Sequence, residues 1–310
     1  MRPYAAVRMD ARSASPRTRI RPVVPEDVPA LCNFLHTGFA DSGIPAEDWR
    51  ALFDYPWRPE GYSPGFVLMV DNVITGFIGA IYARRELPSG SIITCNCSSW
   101  YVRPEHRTLA VALLAAAHRD PALCYTNFTP NTTSELMLRR MGFRPLVSER
   151  LILPPLWHVE TLAAHRPRIL FAPEAVRARL DAAQRRIYDD HAGYGCLQAV
   201  VVEGEARAFI VAKRQLTLLS RRARWLIRCE RVPTSLLLHC SDRALLARHL
   251  ERIKLALLTR QRTLALVADA HYFARRPRAL VRKDHALYRG EGIVPEALDR
   301  LYSEQVLLPV

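Results

Sequence analysis

The stretch from Ser99 to Phe143 constrains this chain most. It reads Ser-Trp-Tyr-Val-Arg-Pro-Glu-His-Arg107, then an apolar run, then Leu123–Phe128, and closes on Asn131-Thr-Thr-Ser-Glu-Leu-Met-Leu-Arg-Arg-Met-Gly-Phe143. The pattern predicts a buried strand, a proline turn, a helix over Arg107–Arg119 rich in Ala and Leu, a second strand, and a helix over Asn131–Met141 capped by Gly142. A strand that feeds a helix through a short turn leaves the first helical N–H groups without backbone partners. Their positive end attracts phosphate. A bulky anion approaches closely only past small side chains. Arg107-Thr108-Leu109-Ala110-Val111-Ala112 supplies alanine twice, with Arg107 as a charged partner.

The flanking sequence extends the alternation of strand and helix. Arg19–Val24 predicts a strand, and Pro25-Glu-Asp27 opens a helix that runs to Ala40, with acidic residues at its positive end. Pro45–Phe53 predicts a short helix. Gly65–Asn72 and Val73–Leu87 read as a hairpin turning at Asp71-Asn72, Ile92–Val102 as the next strand, and Phe143–Leu153 as the last of the first half. The order predicts an α/β (α+β) domain with a mixed sheet, antiparallel first and parallel later. In the second half, a helix over Glu174–Asp190 precedes a hairpin of Leu197–Glu203 and Ala206–Ala212. A strand at Ser235–Cys240, a helix at Arg243–Thr259 and a strand at Thr263–Asp269 follow. The recurring order of elements predicts a tandem arrangement. The expected division is a flexible basic arm over 1–18, a first domain over 19–153, a proline-containing linker over 154–173, and a second domain over 174–310.

Bulk composition narrows the partners. The net charge of +14 rests on 41 arginines and three lysines, a balance that favours anionic partners in general. The arginines are scattered along helical segments without interleaved aromatics, so nucleic acid binding is not expected. No apolar run approaches the roughly 18 residues of a membrane span, and the first 18 residues lack the apolar middle of a secretory signal. A cytoplasmic protein is expected. Seven cysteines, an odd number, fit a reducing compartment. Cys95 and Cys97 share a strand face, but no further ligands at metal-binding spacing accompany them, and no metal is expected.

The Ser99–Phe143 frame resembles the acyl-CoA-binding core of the GCN5-related N-acetyltransferase superfamily. Arg107, Ala110 and Ala112 match its cofactor turn, with Ala110 at a usual glycine and Pro104-Glu105 ahead of it. Asn131, Ser134, Met137, Leu138, Gly142 and Phe143 fit its following helix without a gap. The opening Ile20-Arg-Pro-Val-Val-Pro-Glu-Asp27 and the strand Ile74–Ala80 resemble the family's beginning, so the likeness covers about residues 19–153. In the second half it is topological only: His239-Cys-Ser-Asp242 stands where a phosphate turn would be. The resemblance implies two tandem modules of this acyltransferase fold, the second degenerate.

It also implies an acyl-CoA-dependent N-acyltransferase, using acetyl-CoA or another acyl-CoA as co-substrate and passing the acyl group directly to a small-molecule or peptide amine. The implied cofactor contacts are Tyr101, Val102, Arg107, Thr108, Leu109, Ala110, Val111, Ala112, Asn131, Ser134 and Leu138. The usual thiolate acid, a tyrosine, is replaced by Leu138, and the usual central-strand carboxylates by Asn96 and Ser98. Ser99, Tyr101, Tyr125 and Asn127 are the remaining catalytic candidates, with Tyr125 and Asn127 expected on the strand facing the cleft. A non-catalytic acyl-CoA-binding or regulatory protein on the same scaffold is the alternative.

Overall fold

The computed structural model describes residues 17–87, 90–147, 149–218 and 230–309. The expected basic arm lies outside the described residues except for its last two positions. The chain begins with strand β1 (Thr18–Pro22), a single 3₁₀ turn and helix α1 (Val28–Gly38). Asp27 fixes this entry: its carboxylate takes two hydrogen bonds from Arg21, at 2.6 and 2.7 Å, and one from the Val24 N–H at 2.9 Å. Strands β2 (Gly65–Val70) and β3 (Val73–Leu87) form the expected hairpin. Its two central residues, Asp71 and Asn72, have φ of 50° and 64°, the left-handed pair that a two-residue turn between twisted strands requires.

Strand β4 (Gly90–Val102) pairs along β3 and ends at a 3₁₀ turn, Pro104–Leu109. Helix α2 starts only at Ala110 (Ala110–Ala117), three residues later than the sequence suggested, because the proline turn continues through Leu109. Strand β5 (Cys124–Asn127) and helix α3 (Thr132–Arg140) follow. The run predicted as one strand over Phe143–Leu153 divides into β6 (Arg144–Pro145) and β7 (Glu149–Leu153), and the two belong to different sheets.

The second half opens with β8 (Arg168–Leu170), within the expected linker, and with α4 (Pro173–Arg177) and α5 (Ala182–His191). These two helices replace the single one predicted. Asp181 breaks it: its backbone is extended and its carboxylate caps the Gln184 N–H at 2.8 Å. Strands β9 (Cys196–Glu203), β10 (Ala206–Leu218) and β11 (Arg231–Cys240) are antiparallel neighbours. Helices α6 (Arg243–Arg248) and α7 (Leu250–Gln261), strands β12 (Leu266–Asp269), β13 (Leu280–Lys283) and β14 (Leu287–Arg289), and the short helix α8 (Glu304–Leu307) complete the chain.

Two seven-stranded mixed sheets result, in the orders β1-β2-β3-β4-β5-β14-β6 and β8-β9-β10-β11-β12-β7-β13. The orders correspond position by position, each with one parallel pair, β4–β5 and β11–β12. The chain is therefore a tandem repeat of one module. The repeats exchange a strand: β14 from the C-terminal half enters the first sheet, and β7 from the N-terminal half enters the second. Neither sheet is built from one continuous stretch of chain, so the sequence division at 153 and 174 does not coincide with a division between sheets.

The layers follow from which faces are apolar. Helices α2 and α3 cover the outer face of the first sheet, burying Leu113, Leu114 and Leu138 beside Ile78 and Tyr125. Helices α6 and α7 cover the outer face of the second, burying Leu246, Ile253 and Leu257. The inner faces share one core, in which Leu35, Trp49 and Phe77 meet Val200, Phe209 and Leu236, with Leu301, Val306 and Leu307 among them. Each of these buried aliphatic side chains is worth roughly 1.5–3 kcal/mol relative to exposure.

The C-terminal segment is therefore a central element, and a buried ionic cluster holds it. Arg300, 1% exposed, donates twice to Asp269, at 2.7 and 2.9 Å, and also to Asp284 and to Gln305. Arg150 on β7 donates to Asp284 at 2.9 Å. Next to it, Asp299 takes Arg85 of β3 on one oxygen and His239 of β11 on the other, both at 2.7 Å. Although burial opposes ionisation, the Asp299 carboxyl is held well below the usual carboxylate range by Arg85 and His239.

Candidate active site

The parallel pair of the first sheet is short. Only Thr94, Cys95 and Asn96 of β4 register with Cys124, Tyr125 and Thr126 of β5. From Cys97 to Val102, β4 has a ladder with β3 on one side and, among the described residues, no strand on the other. The ladder with β3 is itself interrupted: Gly79 opposes Ser98 and Phe77 opposes Tyr101, so Ser99 and Trp100 form a bulge. Ser99 adopts φ 52° there, a conformation that costs a non-glycine residue about 1–2 kcal/mol. The bulge turns β4 away from β5 and opens a cavity of about 220 Å³ between them.

Five of the residues proposed from sequence, with the neighbours that frame them, line this cavity. Ser98 and Ser99 face it from β4, their hydroxyls 3.0 Å apart, and Asn127 faces it from the end of β5. Asn131, Ser134 and Leu138 line it from α3. Asn131 caps that helix: its side-chain oxygen accepts from the Ser134 N–H at 2.8 Å and from the Ser134 hydroxyl at 2.9 Å. The capping atom is thus committed to the helix, leaving the amide NH₂ without a protein partner among the described residues.

Two expected catalytic side chains point elsewhere. Tyr125 is 1% exposed and its ring packs against His118 and Phe143, with centroids 4.9 and 6.5 Å away, on the α2–α3 face. Its hydroxyl accepts the Asp120 N–H at 3.2 Å, and burial pushes its phenol upward. It does not face the cleft, because strand alternation turns it into the outer core. Tyr101 packs between Phe34 and Phe39 of the inner core, 5.2 and 5.8 Å between centroids, and Gly38 leaves the space for its ring. Only its backbone, beside that of buried Val102, borders the unpaired edge of β4.

The cavity reaches α2 at Leu114, and the turn residues lie outside its lining. Arg107, Thr108, Val111 and Ala112 are exposed, while Leu109 and Ala110 are half-buried against the outer core. Cys95 and Cys97 are both buried on that same outer face, sulfurs 3.8 Å apart. Among the described residues no group of three or more His, Cys, Asp or Glu side chains is placed to hold a metal, and no helix is long and apolar enough to cross a membrane.

One acidic group in the cavity escaped the sequence reading. Glu304, at the start of α8, is 4% exposed and lines the opening between β4 and β5. Its Oε1 accepts from the Thr129 hydroxyl at 2.6 Å, whereas its Oε2 is buried with no hydrogen-bond partner. Its backbone N–H donates to the Asn96 side-chain oxygen at 3.3 Å, and Asn96 in turn donates to Thr126 at 3.3 Å. The carboxylate is thereby fixed at the point where the two strands part. Burial pushes its carboxyl above the usual range, opposed by the Thr129 hydrogen bond and by the more distant Arg300 and Arg150. Only the tertiary fold brings residue 304 here.

The second module parts in the same way, but other segments bond across its bulge, and a cavity of about 530 Å³ lies beside His239, Cys240 and Tyr272. Strands β11 and β12 register only at Ser235–Leu236 with Leu266–Val267, and the bulge falls at Leu238. There the Leu238 carbonyl accepts from the Tyr272 hydroxyl at 3.0 Å and from the Arg300 N–H at 3.3 Å. The C-terminal segment thus bonds to the bulge of one opening through Arg300 and lines the other with Glu304.

Paired mixed sheets, each with a short parallel pair parted by a bulge, define the architecture. The fold is that of the GCN5-related N-acetyltransferases. Comparison with solved structures supports the assignment. A GCN5-related N-acetyltransferase from Anabaena variabilis superposes with a TM-score of 0.52 at 10% identity, covering 88% of this chain and 72% of that one. A probable N-acyltransferase from Enterococcus faecalis gives 0.54 at 10% identity over 88% and 72%, and a GCN5-related N-acetyltransferase from Kribbella flavida 0.52 at 10% over 88% and 71%. No protein-family profile and no curated protein sequence matches the chain. Likeness to the GCN5-related N-acetyltransferases therefore lies in the fold, with side-chain identity almost wholly replaced.

Proposed function

We propose that this chain is an acyl-CoA-dependent N-acyltransferase with its thioester site in the first module. The observation that carries the reading is the gap in the first sheet: β4 and β5 pair for three residues and then part around a cavity. Backbone N–H and C=O groups along an unpaired strand edge accept an extended amide-containing chain as an added strand. The pantetheine portion of CoA has that chemistry. Arg107, exposed on the turn before α2, offers charge to its phosphates. The amide NH₂ of Asn131 is free to meet a pantetheine carbonyl. A backbone N–H near Val102 would polarise the thioester carbonyl as negative charge develops. The second module, its bulge carbonyl taken by Arg300 and Tyr272, acts as support.

Leu138, 1% exposed and without a proton to give, stands where the family resemblance calls for a thiolate acid. The departing thiolate then takes its proton from the attacking nitrogen. The same feature favours the second reading, a protein that binds acyl-CoA without turning it over. Calorimetric titration with acetyl-CoA and longer acyl-CoAs tests the proposal, with thermal shift as a parallel readout. Saturable heat and stabilisation are expected, and neither signal across the set would refute it. Thiol release on adding primary amines separates the enzyme from the binder.

A further inference from the structure

We propose that Glu304 is the general base of the first module and that the acceptor it serves is a primary ammonium group. The inference rests on the acyltransferase reading above and adds the acceptor chemistry and the residue that receives its proton. A buried carboxylate normally has both oxygens hydrogen-bonded, because an unpaired buried charge is costly. Here Thr129 satisfies Oε1, and Oε2, on a side chain that lines the cavity, has no hydrogen-bond partner among the described residues. A ligand that completes the site must bring a hydrogen-bond donor, and positive charge makes that bond stronger. A protonated amine supplies both.

Among the described cavity-lining residues no other side chain is a carboxylate. Asn96 and Ser98 of β4, Thr126 and Asn127 of β5, and Asn131 and Ser134 of α3 are neutral. Arg300 and Arg150 are engaged with Asp269 and Asp284. The packed turn Asp48–Leu52 carries half-buried Asp48 and exposed Arg50, and Lys213 of β10 donates to the Val306 and Leu308 carbonyls. Glu304 is thus the acidic side chain among the described cavity-lining residues.

Glu304 takes one proton from R–NH₃⁺, and the freed lone pair forms the C–N bond at the thioester carbon. The C–S bond then breaks, and the leaving thiolate takes the second proton from the nitrogen. Products are the amide, free CoA thiol, and a proton on Glu304 that returns to solvent. Thr129 is a positioning residue that holds the carboxylate through Oε1.

The test uses the full chain, acetyl-CoA, and propylamine and spermidine as acceptor probes. Titration of acetyl-CoA comes first: an absence of binding by the wild type sinks the acyltransferase reading itself. With binding established, wild-type thiol release is expected to rise with pH along a limb above the ordinary glutamate range. Glu304→Gln is expected to bind acetyl-CoA within about twofold of wild type and to lose on the order of 10²–10⁴-fold in kcat, the usual contribution of a positioned base. The rising limb is expected to disappear, and Glu304→Asp to recover part of the rate. Thr129→Val removes a hydrogen bond that favours the ionised form, so its limb is expected to move to higher pH. Acetyl-CoA binding without thiol release for either amine overturns the inference while leaving the binding reading intact. A Glu304→Gln enzyme with wild-type kcat and an unchanged limb overturns it as well.

Discussion

Removal of the Arg300 guanidinium is expected to destabilise the chain by about 3–4 kcal/mol. Arg300→Met keeps an unbranched stem of similar reach and deletes the charge. The loss comprises both bonds to Asp269, one to Asp284 and one to Gln305. Asp284 keeps Arg150 at 2.9 Å, but Asp269 keeps it only at 3.8 Å. One carboxylate, 1% exposed, is then left nearly uncompensated. Breaking a buried pair in this way costs about 3–5 kcal/mol, and the residual contact with Arg150 places the value in the lower half. With an unfolding entropy of about 2.1 cal/mol/K per residue, the chain loses about 0.65 kcal/mol/K at Tm, so the midpoint falls by roughly 5–6 °C. Urea unfolding and calorimetry measure both quantities. Asp269→Asn in the same background removes the orphaned charge and is expected to recover at least half the loss. A single-variant loss below about 1 kcal/mol, or no recovery in the double variant, would refute the reasoning.

Asn131→Ala deletes the cap of α3 and is expected to cost about 1 kcal/mol by urea unfolding, with weaker acetyl-CoA binding beside it. Gly38→Ala places a methyl 2.5 Å from the Tyr101 ring; overpacking of this kind costs about 1–3 kcal/mol, and near-ultraviolet circular dichroism reports the displaced ring. Ser99→Gly relieves the left-handed bulge, and thermal melting is expected to show a gain of a few tenths to about 1 kcal/mol. Glu304 has a raised carboxyl in the folded state, so folding binds its proton more tightly. Its stability contribution is full below the unfolded value and is lost as pH rises through the folded one. Glu304→Gln, neutral throughout, is therefore expected to melt higher than wild type near pH ~8, with the advantage shrinking toward pH ~4; an advantage that grows in acid would contradict this sign.

Local signals carried the fold a long way. The Asp71-Asn72 turn, the alternation along Val73–Leu87, and the caps at Asn131 and Gly142 are short-range features, and the hairpin and α3 lie where they were expected. The repeated order of elements was legible for the same reason. The failures are long-range. Glu149–Leu153 has ordinary strand character, and nothing in it specifies which of two sheets it joins. Leu287–Arg289 is only three residues long and gains its conformation from β5 and β6. Tyr125 and Asn127 share a strand parity, but burial takes one into the outer core while the strand end leaves the other at the opening. Glu304 sits in a helix of four residues, anchored by an ionic cluster drawn from four segments of chain, and no local pattern announces it.

The reciprocal exchange of β7 and β14 sets a timetable for synthesis. Asn127 at the edge of β5 waits for Leu287, its partner in the finished sheet. At about 5–20 residues per second, the nascent chain carries that bare edge for on the order of 10–30 s. Meanwhile β7 has emerged with no neighbours from its own sheet. Such an edge invites pairing with another chain, so premature termination before residue 287 leaves a sticky half-sheet rather than a smaller working protein, and separately expressed halves would have to find each other to close either one.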